Sequence, residues 1–376
     1  MDEGKNMKIG PYEIKFEKRS TLTDWDITKI SIVAIIVALA IFGFIFIQAG
    51  VSPIEAYRRM FTYAFLNKYG LPLTVHRFVL LLLCSLAFIL PFRAGLWNIG
   101  ATGQLYLGAL GTFGVLYAFG AKTASPDLSP TTVIPLMIVG GALGGALMGG
   151  IAGFLRGKWN INEILVTMML NFAALWFVRY MIQSGGPFMG AGGRGESFSV
   201  PASVHAPTIG GYSYTIFIAI GIAVLLYFLL SKTILGYKIK ALGENPQAAR
   251  YSGISSLRIT IIAFIVGGAI AGFAGYHYFA ATPGVYKISR NFQIFGDMAF
   301  YGIVIGLIVL GKPLGAIPIS ALFGGLTVGA RNVQGTFRMS FGVDYALLGV
   351  LMMVIIAFQF FYRYKIVPLK RSEGVG

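Results

Sequence analysis

Residues 133–155 read VIPLMIVGGALGGALMGGIAGFL, without a single charged side chain. A helix needs about 20 predominantly apolar residues to cross the hydrocarbon of a bilayer, and this stretch supplies them. Its glycines, Gly140, Gly141, Gly144, Gly145, Gly149, Gly150 and Gly153, fall three and four residues apart and so share helix faces. Small residues at that spacing let helix backbones approach closely in lipid. Gly268, Ala271, Gly272 and Gly275 repeat the pattern further along. The stretch therefore reads as a membrane span packed tightly against other spans.

Working outward, comparable apolar stretches lie near 27–48, 77–92, 99–121, 164–182, 214–231, 259–281, 296–311, 314–329 and 345–362. With 133–155 they make about ten. Across 376 residues the chain is 56% hydrophobic and only 12% charged, with mean hydropathy +0.75. Soluble domains carry roughly 25% charged residues, so lipid must solvate much of this surface. The expected fold class is an all-α polytopic membrane protein, about ten transmembrane helices in one bundle. Residues 1–26 form an N-terminal segment, 27–362 the transmembrane domain with a loop at 232–258, and 363–376 a tail. The polar residues before the first span, Lys15, Lys18 and Arg19 among them, argue for a retained helix over a cleaved signal. Lys and Arg favour cytoplasmic segments. Their distribution places both termini in the cytoplasm of a multi-pass plasma-membrane protein. Residues 52–69 are too polar to span and fit an amphipathic helix at the outer surface.

Composition also excludes functions. One cysteine, Cys84, permits no internal disulfide, and His76, His205 and His277 are far apart in sequence and read as packed or interfacial side chains. No metal site is expected. The net charge of +16 is better explained by anionic lipid than by nucleic acid. Residues 306–312, GLIVLGK, have phosphate-loop spacing, but Pro313 replaces the magnesium-binding hydroxyl. No cofactor is expected on this chain, and any ATP and magnesium chemistry falls to another polypeptide. No catalytic residues are expected.

Two polar interruptions remain. In residues 91–108, PFRAGLWNIGATGQLYLG, a span stops and resumes after a short polar stretch. This reads either as an ordinary turn with a helix cap or as a polar break lining a wet cavity, where irregular backbone is tolerated. Residues 231–258 form the longest internal loop. There Asn245-Pro246 starts a short helix, which Gly253 ends. Such a capped helix can dock in a groove on a partner or rest on lipid headgroups.

The loop LGENPQAARYSGIS (242–255) resembles the coupling segment of ABC-importer permeases serving simple sugars, nucleosides and branched-chain amino acids. AGLWNIGATGQLYLGA (94–109) is similar to the broken third span of that branch, and NEILVTMMLNF (162–172), GGAIAGFAG (267–275) and FGDMAFYGIVIGLIVLGKPLGAI (295–317) follow in the family's order. The resemblance covers most of the chain from about residue 77 and is closest to nucleoside, purine-type permeases. It implies a permease subunit that carries a small polar solute, a nucleoside first and a simple sugar next. The implied partners are an ATP-binding subunit, a second permease subunit (a heterodimer or a homodimer) and an extracellular solute-binding lipoprotein. Trp97, Asn98, Gln104 and Asn171 are the expected pathway residues. Gly243, Glu244, Asn245, Pro246, Ala249, Arg250, Tyr251 and Gly253 are the expected contacts to the ATPase, on a cytoplasmic coupling helix. The family commonly has an acidic residue where this chain has Thr102, which bears on the cargo. Asn162-Glu163 reads as a cap for the following span, and Asp297 and Asp344 have no transport role. The competing reading is an ion-coupled secondary transporter, which would bury ionisable groups in mid-span; Arg179 alone fits that pattern. An enzyme would need a metal-spaced histidine pair, a serine elbow or an acidic pair within a span.

Overall fold

The computed structural model describes residues 7–9, 12–19, 23–123, 129–183, 185–296, 298–340 and 342–370. Asp297 lies outside the described residues. Along the chain run strands β1 (Met7–Ile9) and β2 (Tyr12–Lys18), then helices α1 (Asp24–Gln48), α2 (Pro53–Phe61), α3 (Gly70–Arg93) and α4 (Ala101–Ala118). Next come α5 (Pro130–Trp159), α6 (Glu163–Ile182), the short strands β3 (Thr208–Ile209) and β4 (Tyr212–Ser213), and α7 (Thr215–Lys232). Helices α8 (Ile234–Glu244) and α9 (Pro246–Tyr251) precede α10 (Ser256–Ala280), α11 (Gln293–Gly296), α12 (Met298–Ile308), α13 (Pro313–Thr336), α14 (Val343–Phe358) and α15 (Phe360–Arg363), and β5 (Tyr364–Lys370) closes the order. Every one of the ten apolar stretches coincides with a helix. Eight helices among the described residues are long and apolar enough to cross a membrane. Helix α12 is apolar but short, and α4 is the helix that resumes after the polar break.

The helix ends follow local chemistry. Thr23 and Asp26 form a reciprocal capping box for α1. Asn162 caps α6 as expected, its side-chain oxygen accepting from the backbone of Ile164 and Leu165. Helix α5 has Pro130 in its first turn and stops at Asn160, which adopts the left-handed conformation at φ 55°.

Two compact units emerge, Met1–Arg58 with Val333–Gly376, and Arg59–Asn332. In the first, α1 packs along α14, and Ser31 in α1 hydrogen-bonds Tyr362 in α15 at 2.9 Å. The start of α1 therefore lies beside the end of the last span. Strand β2 pairs antiparallel with both β1 and β5, with Tyr12 opposite Lys370 and Lys18 opposite Tyr364. The two ends of the chain's described residues thus meet at one end of this unit. This small sheet was not expected from the sequence.

In the second unit, α4, α5 and α10 meet backbone to backbone. A Cβ added to Gly108 would stand 2.3 Å from the Gly272 Cα, one on Gly145 2.1 Å from the Gly268 carbonyl oxygen, and one on Gly144 2.2 Å from that of Leu107. Helix α3 lies against this trio through Gly267, whose Cβ would reach the Ala87 carbonyl oxygen at 2.6 Å. Cys84 is buried in α3 as a free thiol. His76 and His277, 201 residues apart in sequence, stack with ring centroids 5.9 Å apart. The carbonyl of His76 can only accept, so Nε2 of His277 donates to it (3.2 Å), leaving Nδ1 to accept from the Thr215 hydroxyl (2.7 Å). That network ties α3, α7 and α10 together.

Gly272→Ala is expected to lower the stability of the detergent-purified chain by about 1–3 kcal/mol, the usual cost of overpacking, because its Cβ would stand 2.2 Å from the Gly141 carbonyl oxygen. Gly221→Ala, with open space around it, should be neutral or slightly stabilising. Thermal unfolding of the two variants side by side checks the contrast.

Candidate functional site

Helix α3 ends at Arg93, and Gly95 takes a left-handed φ of +75° that turns the chain out of the helix. Residues 94–100 are irregular until α4 begins. Backbone freed from helical pairing inside a bundle must find other partners. Here side-chain amides provide them. Asn98 accepts from the Gly100 N–H at 3.1 Å. Asn171, on α6, donates to the Ile99 carbonyl at 3.0 Å and accepts from the Gly103 N–H at 2.8 Å. Asn98 and Gln104 also bond each other in both directions, at 3.0 and 3.1 Å, and neither has accessible surface. The Trp97 N–H donates to the Glu163 carboxylate at 3.3 Å, and Glu163 pairs with Arg156 Nε at 3.1 Å. The Trp97 indole packs edge-on against Phe88 and Phe92 and remains 38% exposed.

All four expected pathway residues lie at the break, Trp97 and Asn98 within it and Gln104 and Asn171 bonded to it. Only Asn171 borders the adjoining cavity of about 360 Å³. Thr102, Tyr106, Phe172, Gln293 and Phe300 line it as well. The Thr102 hydroxyl donates to the Gly296 carbonyl at 3.0 Å, and the Tyr106 hydroxyl reaches the Gln293 carbonyl at 3.5 Å. The walls thus offer aromatic faces alongside hydroxyl and amide groups, and the lining residues carry no charge. Sequence reasoning missed Tyr106, Phe172, Gln293 and Phe300. They sit in apolar helices or in the short α11, and nothing in their local pattern marks them. A larger groove of about 780 Å³ on α5, floored by Gly140, Gly144 and Gly150, is almost wholly apolar and suits lipid better than a polar solute.

The expected loop contains the short capped helix foreseen, α9, but the residues before it, read as loop, form helix α8. Asn245 caps α9 by accepting from the N–H groups of Gln247 and Ala248, Pro246 occupies the first turn, and Gly253 ends the segment at φ +77°. Ala249 is buried, anchoring the helix. Glu244, Asn245, Pro246, Arg250 and Gly253 are exposed, and Tyr251 is 93% exposed. Gly243 is partly covered.

A family model described as "Branched-chain amino acid transport system / permease component" matches residues 73–356, which include both the broken helix and the capped loop. The chain belongs to this family. It is a multi-pass membrane permease. It is 29% identical to the glucose ABC transporter permease protein of Haloferax volcanii over 94% of this chain and 93% of that protein. The nucleoside ABC transporter permease protein of Lactococcus lactis is 30% identical, over 81% and 84% of the two chains. The guanosine ABC transporter permease protein of Bacillus subtilis is 28% identical, over 88% and 92%. The Lactococcus organism has a second nucleoside permease protein, 27% identical over 65% of this permease.

Gln104→Leu removes both hydrogen bonds of a fully buried amide pair and leaves Asn98 only its bonds to the Ala87 carbonyl and the Gly100 N–H. The permease should lose about 1–3 kcal/mol, the cost of an orphaned buried polar group, read as a lower unfolding temperature. Gln104→Leu combined with Asn98→Leu should show strong non-additivity, the mark of a coupled pair.

Proposed function

We propose that this chain is the permease subunit of an ABC importer and moves a small, neutral, ring-shaped polar solute through the cavity beside the broken helix. A nucleoside is the first candidate and a simple sugar the second. The capped, exposed α8–α9 segment carries the reading. A short helix fixed by its own cap and anchored at Ala249, with charged and aromatic side chains facing outward, suits a groove on a separate ATP-binding subunit. ATP and magnesium act on that subunit. The full assembly adds a second permease subunit, most simply a related chain in a heterodimer, as the paired Lactococcus lactis permeases suggest, and an extracellular solute-binding lipoprotein. In this arrangement the termini and α8–α9 face the cytoplasm.

Within the pathway, the solute ring stacks on Phe172 or Phe300 while Thr102, Asn171 and Gln293 bond its polar edge. Asn98 and Gln104 hold the walls in place, and Trp97 flanks the break. A ligand shifts the balance between outward- and inward-facing states only through its different affinity for the two.

Vesicles holding the whole complex should take up labelled nucleoside when ATP is supplied on the side of α8–α9, and an ionophore should leave uptake intact. Uptake that collapses with ionophore and ignores ATP would establish ion coupling instead. Stacking on an aromatic ring is worth about 1–3 kcal/mol, so Phe172→Ala should weaken solute affinity roughly 5- to 150-fold with the protein still folded. Glu244→Ala and Arg250→Ala should reduce recovery of the ATP-binding subunit in pull-down and lower uptake in parallel. Wild-type values in both assays would remove α9 from the interface.

A further inference from the structure

We infer that the backbone contact between Gly95 and Gly243 is the joint through which movement of α8–α9 reaches both walls of the cavity. This rests on the importer reading above. Gly243 is the penultimate residue of α8. A Cβ on it would stand 2.4 Å from the Arg93 carbonyl oxygen and 2.9 Å from the Gly95 nitrogen, and a Cβ on Gly95 would stand 3.1 Å from the Gly243 Cα. The end of α8 therefore bears directly on the chain where α3 breaks, with no side chain between them to absorb a displacement. Ile239 and Leu242 bury the same face of α8, so the helix cannot rotate away from the contact without exposing them.

From Gly95 the connections run to two elements. Two residues on, the Trp97 N–H is held by Glu163, the first residue of α6. Two residues further, the Ile99 carbonyl is held by Asn171, also on α6. The segment itself continues into α4, which carries Thr102 and Tyr106. Helix α6 carries Asn171 and Phe172. Both walls are thus fastened to the short segment that α8 touches, while α5, α10 and α4 from Leu105 onward are locked to one another by glycine contacts. A push on α8–α9 moves α6 and the start of α4 relative to that core. Gly95 and Glu163 are positioning residues in this scheme.

The test uses the complete transporter in lipid vesicles, with its ATP-binding subunit, second permease and binding protein. Gly95→Ala and Gly95→Asn both add the Cβ that crowds Gly243, but Asn adopts positive φ far more readily. Both are expected to assemble normally and to hydrolyse ATP without binding protein, and both should lose at least tenfold in solute moved per ATP. Impairment by Ala with normal coupling by Asn would assign the effect to backbone strain and overturn the joint, as would normal coupling by both. A second measurement leaves the joint unaltered. Spin labels at Tyr237→Cys on α8 and Tyr180→Cys on α6 should keep their separation between the nucleotide-free and ADP–vanadate states, while labels at Tyr237→Cys and Leu147→Cys on α5 should change theirs. A changing 237–180 separation overturns the joint even if the Gly95 variants fail to fold. A wild-type complex whose uptake ignores ATP defeats the importer reading. An ATP-driven wild type with fully coupled Gly95→Asn defeats the joint alone.

Discussion

The direct meeting of backbones among α4, α5 and α10 governs the rest of this permease. In lipid there is no hydrophobic gain from bringing two apolar helices together, because the acyl chains are as apolar as leucine. Association has to come from dispersion and weak polar contacts, which fall off steeply once atoms separate. Gly108 against Gly272 and Gly145 against Gly268 bring those contacts to their closest range. The trio is consequently stiff, and the moving parts of a transporter must be sought around it. Helix α6 lies outside these contacts, and so does the first turn of α4, ahead of Leu105, whose carbonyl oxygen a Cβ on Gly275 would approach to 2.2 Å.

The break imposes a second constraint. Seven residues of irregular backbone would be very costly in hydrocarbon if their polar groups were left unpaired. The chain meets this with Asn98, Gln104 and Asn171. The consequence is that two of these amides are fully committed to structure and unavailable to a solute. On the proposed reading, recognition falls to the side chains around them, whose polarity rests on Thr102, Asn171 and Gln293. The same residues that make an interruption tolerable thus set how wide the neighbouring cavity stands.

Much of this was legible in the chain. Spans are read from continuous hydrophobicity, so each of the ten stretches meets a helix, eight of the described helices being long and apolar enough to cross a membrane, and glycine spacing on 133–155 correctly announced close packing. Capping chemistry is local, which is why Asn162 and Asn245-Pro246 could be assigned by inspection. Long-range pairing is not local. Nothing near His76 signals that His277 will stack on it, and the Asn98–Gln104 pair looks from sequence like two free amides at a pathway. The terminal sheet was missed for another reason. Tyr12, Ile14 and Phe16 alternate with polar residues over 12–18, a period-two pattern that is weak beside a long apolar run, and its partner lies at the far end of the chain.

On the proposed reading, the uncharged side chains among the described lining residues bear on the cargo. The family's name mentions branched-chain amino acids, which travel as zwitterions at neutral pH. Moving a carboxylate and an ammonium from water into a low-dielectric site is expensive unless each finds an opposite charge or several strong donors. Thr102, Tyr106, Asn171 and Gln293 offer hydroxyls and amides, and among the described lining residues no side chain is charged. With Thr102 in the wall, a cationic substituent has no counter-ion at that position. A nucleoside or sugar, neutral and edged with hydroxyls, meets these walls without stranding a charge. The aromatic faces of Phe172 and Phe300 then favour the flat base over the puckered ring, since stacking rewards planar contact. The uncharged lining that makes a zwitterionic cargo hard to accommodate is thus the same one that makes the proposed nucleoside reading physically economical.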